Sequence, residues 1–274
     1  MYPAQTNIQL FNQLRDSGYD HSDLAYVCNA YAFAMCLFTG CFRQSGKSFI
    51  AHLVGTASIL AETRAPASTV VAGLLHSAYS HGEFGMGDRG ISEAKRKQLR
   101  LVAGAEAEHL VAQYTTSPWD EQSISQLLAG LPEPGSVARE VLMIHLANEL
   151  EDHLDCAALY SGGAEYRRGV IRSYLFRCVE IAEKLGCPAL ASGLSQAFAE
   201  TLSRDVPLTF QKGNIHLTHK DTVHLIGWKS SFLFPPTTHR LRLKVKLGRI
   251  FRRRFQLARI LLHFNHSFRQ QTNR

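Results

Sequence analysis

The sequence predicts an all-α protein, because three observations agree over residues 1–205. Apolar residues recur at three- and four-residue spacing from Asn7 to about Arg204, as in helices that bury one face. Turn signals such as "RAPAS", "TSPWD" and "LPEPGS" divide this pattern into helix-length segments. A hydrophobic content of 45% in 274 residues is enough for a buried core. We therefore expect one helical bundle over residues 1–205.

The predicted helices follow one another with short connections. The second predicted helix contains the longest nearly apolar run, "VCNAYAFAMCLFTGCF". This run is shorter than the roughly 20 residues needed to cross a bilayer, so the helix is expected to be buried in the protein. "RQSGK" follows it, and "RAPAS", "GMGDRG", "TSPWD", "LPEPGS", "SGG" and "GCP" separate the later helices. The helices are expected near residues 8–16, 22–39, 48–62, 67–80, 91–114, 121–130, 136–160, 164–186 and 188–203.

The pattern changes after residue 205. The alternation in "PLTFQKGNIHLT" predicts a short β-hairpin, and the two prolines of "SSFLFPPTTHR" indicate a linker, so residues 206–239 are expected to be irregular. Residues 240–274 are predicted to form a basic amphipathic helix with eleven Lys or Arg and no acid. The rest of the chain, residues 1–239, has 19 basic and 23 acidic residues, a balance of −4. The net charge of +7 therefore comes from the C-terminal segment.

The basic segment predicts a partner with negative charge. Its Leu, Ile and Phe residues form an apolar stripe between the cations, which suits an anionic membrane surface or an acidic protein. Nucleic acid fits less well, because the aromatic residues belong to the apolar face and are not interleaved as stacking platforms. The alternative is that the helix packs on the acidic part of its own chain. With no basic and apolar leader at its start, the protein is expected in the cytoplasm, peripheral to the inner face of the membrane.

Two histidines stand in apolar segments that otherwise suit a core. His52 is early in one predicted helix and His76 is late in the next, 24 residues further on. The short connection "RAPAS" makes the two helices antiparallel, so the imidazoles could meet. The alternative is that each is a hydrogen-bonded core residue.

A third segment, "REVLMIHLANELEDHLD", carries polar residues on a mostly apolar helix. His145, Asn148 and Asp152 fall within about 60° of one another at 100° per residue, which predicts a narrow polar stripe. Such a stripe could face a site built from neighbouring helices. The alternative is a solvated edge, in which Glu149, Glu151, His153 and Asp155 face water.

The segments "RQSGKSFIAHL", "AGLLHS" and "HLANELED" resemble the signature stretches of the HD metal-dependent phosphohydrolase superfamily. They are most similar to the hydrolase domain of RelA/SpoT-type (p)ppGpp synthetase/hydrolases, where the pattern reads approximately R-x-S-G-E-P-Y-I-x-H-P, L-L-H-D-x-x-E-D and K-L-A-D-R-L-x-N. The resemblance covers roughly residues 25–160 and includes the interval between the two histidines. It implies an HD-domain-like helical bundle. The "HS" of residues 76–77 also resembles a small uncharacterised bacterial family that has HS in place of HD.

The resemblance implies a role for each matching residue. His52 and His76 match the metal-binding histidines, Asn148 matches the last metal-ligating position, and Arg43 matches an arginine that packs against the substrate's base. The implied cofactor is a divalent metal such as Mn or Fe, and the implied substrate is a nucleotide-like phosphorylated small molecule.

The chain departs from the family at its anionic positions. Ser77 replaces the Asp of the HD pair and Asn148 replaces the last Asp ligand, so the metal is expected to bind weakly or not at all. Ser80 and His81 replace the catalytic acidic pair, which leaves Glu83 and Asp152 as the candidate catalytic acids. Two functions stay open. One is a metal-dependent phosphohydrolase with substitute ligands, and the other is a non-catalytic regulatory or binding protein with the HD fold.

Overall fold

A computed structural model describes residues 2–43, 45–85, 89–161 and 164–205. Helices make up most of these residues, and no strand forms among them apart from an isolated antiparallel bridge between Phe42 and Ser48. The predicted all-α fold class is confirmed. The predicted hairpin and linker (206–239) and the basic helix (240–274) lie outside the described residues. None of the helices in the described part of the chain is both long and apolar enough to cross a membrane.

The helices follow the predicted order. They are α1 (Asn7–Asp16), α2 (His21–Phe38), α3 (Phe49–Glu62), α4 (Ala67–Leu75), α5 (Ala78–His81), α6 (Glu93–Thr116), α7 (Glu121–Ala129), α8 (Val137–His153), α9 (Ala164–Val170), α10 (Arg177–Lys184) and α11 (Pro188–Ser203). A 3₁₀ helix (Leu154–Ser161) follows α8, and a π-helical turn (Ile171–Leu175) lies between α9 and α10. Side chains of Thr6, Asp20, Ser48, Ser92, Asp120 and Ser136 cap the starts of helices by accepting backbone N–H bonds.

Two interruptions differ from the prediction and bear on function. The segment predicted as one helix over 67–80 divides at His76 and Ser77 into α4 and α5. The segment predicted over 136–160 leaves α-helical geometry after His153, because Asp155 and Cys156 have φ of 57° and 56°. An L-residue with positive φ cannot continue a right-handed helix, so α8 ends there.

The core is built around α3 and α4, which are joined by a short connection and pack against each other. Every residue from His52 to Ala61 is buried, as is every residue from Ser68 to Tyr79. α8 packs against α3, α4, α6 and α11. Helices buried on all sides lie at the centre of a bundle, so polar side chains on α3, α4 and α8 must find partners inside the protein.

Candidate metal centre

His52 and His76 meet in the core. His52 lies in the first turn of α3, which Ser48 caps, and His76 lies at the C-terminal end of α4. Their Nε2 atoms are 3.3 Å apart, and the two side chains are 0% and 1% exposed. The prediction that the two imidazoles meet is confirmed.

The hydrogen bonds around the pair assign its tautomers. His76 Nδ1 lies 2.8 Å from the carbonyl oxygen of Gly73, so Nδ1 carries the proton and donates it. His52 Nε2 lies 2.6 Å from Arg43 Nη1, and a guanidinium only donates, so this Nε2 accepts. His52 Nδ1 then donates to the Glu151 carboxylate, with which it is in contact. Both Nε2 atoms are therefore unprotonated acceptors 3.3 Å apart, and Arg43 donates to the one on His52.

Burial keeps both imidazoles neutral. Desolvation, together with the positive charge of Arg43, lowers the pKa of His52 to about 3. Desolvation and the neighbouring His52 hold the pKa of His76 well below its usual value. Neutral imidazole is the form that binds metal ions, so both histidines are ready to act as ligands at pH 7.

Glu151 is a buried acid that contacts His52 on one side and Lys47 on the other. Its side chain is 1% exposed. Desolvation raises the pKa of Glu151 to about 7, while the charge of Lys47 opposes that rise. The carboxylate fixes the orientation and tautomer of His52, as carboxylates behind metal-bound histidines do.

Arg43 connects the histidine pair to Asp152. Its Nη2 atom lies 2.6 Å from Asp152 Oδ1 and 2.8 Å from Oδ2. Asp152 Oδ1 is also 3.5 Å from His52 Nδ1. The guanidinium thus supplies positive charge to an imidazole nitrogen and a carboxylate, which are ligand types that divalent metals use.

The donors allow two metal arrangements that share His52; Asp152 belongs to the first and would have to turn from Arg43 to join the second. In the first, ligand atoms of His52, Glu151 and Asp152 lie within 4.8 Å of one another, so this buried group could hold a metal ion. The second uses the two Nε2 atoms: their 3.3 Å separation suits an ion about 2.1 Å from each, with an N–metal–N angle of about 100°. In this second arrangement Glu151 is not a ligand and orients His52 through its Nδ1 atom. Imidazole nitrogen with carboxylate oxygen suits first-row divalent ions in both arrangements.

The other predicted site residues are less closely tied to the pair. Asn148 is partly buried on α8, four residues before Asp152, and its side chain has no hydrogen bond to another described residue. Glu83 is exposed after α5, where its backbone N–H donates to the Leu37 carbonyl oxygen. The metal role of Asn148 and the catalytic role of Glu83 stay predictions.

His145 belongs to a different environment from the one the polar stripe predicted. Its ring stacks on Tyr114 and Trp119 at centroid distances of 4.3 and 4.4 Å. Its Nε2 atom is hydrogen-bonded to Ser117 at 2.7 Å. The ring centroids of Tyr114 and His76 are 5.0 Å apart, so Tyr114 lies between His145 and His76. The stripe is therefore divided, with Asp152 at the histidine pair and His145 in an aromatic stack.

The sequence did not identify Glu151 and Lys47 as site residues. The solvated-edge alternative is wrong for Glu151 and His153, which are 1% and 3% exposed. A signal was present in α3, where Gly55 interrupts an apolar helix. A Cβ atom on Gly55 would lie 2.7 Å from Cγ and Oε1 of Glu151. The glycine allows α8 to approach α3 closely enough for Glu151 to contact His52.

Replacing Gly55 by alanine is therefore expected to disturb both stability and the site. The added methyl group would overpack the contact and displace the Glu151 side chain. Urea unfolding should therefore show a free energy of unfolding lower by about 1–3 kcal/mol. Gly169→Ala is the control, since Gly169 is exposed on α9 and a Cβ there meets nothing within 4 Å. The control should gain about 0.5–1 kcal/mol. Equal effects of the two changes would contradict the close approach.

A small polar cleft opens beside the site. It has a volume of ≈ 50 Å³ and is lined by three basic side chains, Arg43, Lys47 and Arg167, and by the acids Glu149, Glu151 and Asp152. The cleft is small and partly open, so it has room for an ion or a small anionic group. A larger ligand would extend into solvent or displace Arg43.

A family profile matches residues 37–118. It describes a domain of unknown function, DUF6817. The matched residues span less than half of the chain and include Arg43, His52 and His76, whereas Glu151 and Asp152 lie beyond them. No curated protein matches the chain. The match therefore covers both histidines and assigns them no activity.

Proposed function

We propose that the chain is a divergent member of the HD-type metal-dependent phosphohydrolases that binds a divalent cation at His52 and His76. The observation that supports this most strongly is the pair of buried, unprotonated Nε2 atoms 3.3 Å apart. Two such acceptors repel unless positive charge lies beside them, and here Arg43 Nη1 donates to His52 Nε2. Burial disfavours a proton on either ring, so a metal ion that replaces Arg43 is the partner that could serve both nitrogens.

Each residue of the site has a defined part in this proposal. His52, His76 and Asp152 would hold the ion, which when bound would polarise a phosphate oxygen and lower the pKa of a coordinated water. Glu151 orients His52, and the Gly73 carbonyl oxygen orients His76.

The substrate class follows from the charges around the cleft. Arg43, Lys47 and Arg167 line the cleft with donors that suit a phosphate group, and in its absence they share the cleft with the acids Glu149, Glu151 and Asp152. The nucleotide-like remainder of such a substrate would lie outside the cleft. Arg43 must release His52 and Asp152 before it can contact a ligand in this way.

A second candidate function is non-catalytic binding of a phosphorylated molecule. The hydrogen bonds of Arg43 favour this second function, because the guanidinium bonds to His52 Nε2 and Asp152 where a metal ion would otherwise bind. The neutral residues Ser77 and Asn148 at positions where the superfamily has aspartates favour it as well. In this function the guanidinium of Arg43 supplies the positive charge that a metal ion would supply in the enzyme.

Titration of the full-length protein with Co²⁺ or Mn²⁺, followed by calorimetry and by the Co²⁺ absorption spectrum, tests the proposal and separates the donor sets. His76→Gln should weaken binding at least 100-fold, because it removes a direct ligand, whereas Glu151→Gln should weaken it about 10- to 100-fold through His52. His21→Gln and Glu183→Gln, both exposed, are the matched controls.

If Glu151→Gln weakened metal binding more than His76→Gln did, the ligands would be His52, Glu151 and Asp152 and not the two histidines. Absence of binding in the wild type would sink the metal proposal. Phosphate release from nucleotide substrates with Mn²⁺ present separates the two functions, since metal binding without turnover favours the non-catalytic one.

A further inference from the structure

A second pocket lies between the C-terminal end of α6, helix α7 and the start of α8. Its volume is ≈ 600 Å³, and it shares no lining residue with the polar cleft. Its His145 is separated from His76 by Tyr114. Nothing in the proposed phosphohydrolase chemistry uses this pocket.

The floor of the pocket is aromatic and uncharged. His145 and Trp119 stack with an angle of 5° between their planes, and Tyr114 stacks on His145 as well. Burial lowers the pKa of His145 to about 3, so this imidazole is neutral at pH 7. Trp119 Nε1 donates to Glu149 Oε1 at 2.9 Å, which fixes the indole ring and satisfies its one donor. The floor is therefore preorganised.

Apolar residues predominate in the walls, which also include His109, Ser117 and Ser123. Leu127, Val141 and Leu142 contribute apolar surface, and Gln113 and Gln126 add amide groups. Charged residues make up 19% of the sequence, yet none of the 15 lining residues is Asp, Glu, Lys or Arg. A charged ligand would lose its hydration here without gaining an ionic partner among them.

We propose that this pocket binds a neutral, largely apolar small molecule that contains rings. Its volume lies within the range of about 300–1,000 Å³ found for small-molecule sites, and its few polar groups among apolar ones suit such a ligand.

The test uses the full chain and two dyes that differ by one charge. N-phenyl-1-naphthylamine is neutral, and 1-anilinonaphthalene-8-sulfonate has a closely similar ring system with an added sulfonate. Trp119 and Trp228 are the two tryptophans, so in a Trp228→Phe background tryptophan emission comes from Trp119. We expect saturable binding of the neutral dye with energy transfer from Trp119.

Ala138→Phe fills the pocket from an exposed position on α8 and should weaken binding of the neutral dye at least tenfold. Ala105→Phe, at an exposed position on α6 outside the pocket, should leave affinity within twofold. The part of the binding that Ala138→Phe removes is taken as binding to the pocket. For this part, the sulfonated dye should have an affinity at least tenfold lower than that of the neutral dye.

If Ala138→Phe alters the circular dichroism spectrum, Gly130→Leu replaces it. Gly130 lines the pocket with extended backbone, and a Cβ there meets nothing within 4 Å. Absence of saturable binding in folded protein would overturn the proposal. So would binding that neither pocket-filling variant reduces, or equal affinity for the two dyes at this site.

Discussion

Replacing Ser77 and Asn148 together by aspartate is expected to tighten Mn²⁺ binding at least 100-fold. Ser77 directly follows His76 and is 7% exposed, and Asn148 lies one helical turn before Asp152 on α8. A carboxylate about 4 Å from a divalent ion gains several kcal/mol at an effective dielectric constant near 20, before desolvation costs. A net gain of about 2.7 kcal/mol from both corresponds to 100-fold. Calorimetric titration of the full-length variant measures the change.

A control variant separates local ligands from added negative charge. Asn12→Asp with Ser195→Asp makes the same chemical changes at exposed positions on α1 and α11. Its Mn²⁺ affinity should stay within about twofold of the wild type, because exposed charges beyond a Debye length of about 8–10 Å are screened. If the buried pair of substitutions gave no tighter binding than this control, residues 77 and 148 would not face the metal, and the resemblance to the HD superfamily would lose its structural basis.

Arg43 limits how far metal affinity can rise. A metal between the two Nε2 atoms and Asp152 competes with a guanidinium that bonds to both His52 and Asp152. The protein must therefore break these charge-assisted bonds before it binds the ion, and such bonds are about twice as strong as neutral ones. The weak metal binding that we expect would thus have two physical causes, the neutral residues at 77 and 148 and this internal cation.

Much of the fold could be predicted from the sequence because the signals were local. Apolar spacing and turn residues located α3 and α4, and their antiparallel arrangement brought His52 to His76 as expected. The break at residues 76–77 could not be predicted, since "GLLHSAYS" contains no glycine or proline after Gly73. It depends on how α4 and α5 pack within the bundle.

The parts of the site that sequence reasoning missed depend on tertiary contacts. Glu151 and Lys47 are residue types that usually face water, and only their mutual contact beside His52 makes burial of Glu151 acceptable. His145 and Asp152 share a helical face, yet the ring of Tyr114, from α6, lies between His145 and His76. A helical phase predicts a common direction and cannot predict what a neighbouring helix inserts.

The charge distribution adds a second question, which is where the protein acts. The acidic and basic parts of the chain differ in sign, with −4 over residues 1–239 and eleven cations without an acid over residues 240–274. Each Lys or Arg near an anionic membrane contributes about 1 kcal/mol, so even a few of the eleven can hold the protein at such a surface. This adsorption is expected to be independent of the metal centre.

Truncation after Pro236 is expected to abolish binding to acidic vesicles. Co-sedimentation with phosphatidylserine-containing liposomes should recover the full-length protein at low salt and less of it at 0.15 M salt, where the Debye length falls to about 8 Å. The truncated protein should stay in the supernatant under both conditions. An intermediate variant, Arg252→Gln with Arg253→Gln and Arg254→Gln, keeps the apolar stripe, so its partial loss of binding would show that charge contributes alongside the Leu, Ile and Phe residues. Equal sedimentation of full-length and truncated protein, or none of either, would mean that residues 240–274 do not direct the chain to anionic lipid; the acidic part of the same chain would then be the better partner for those cations.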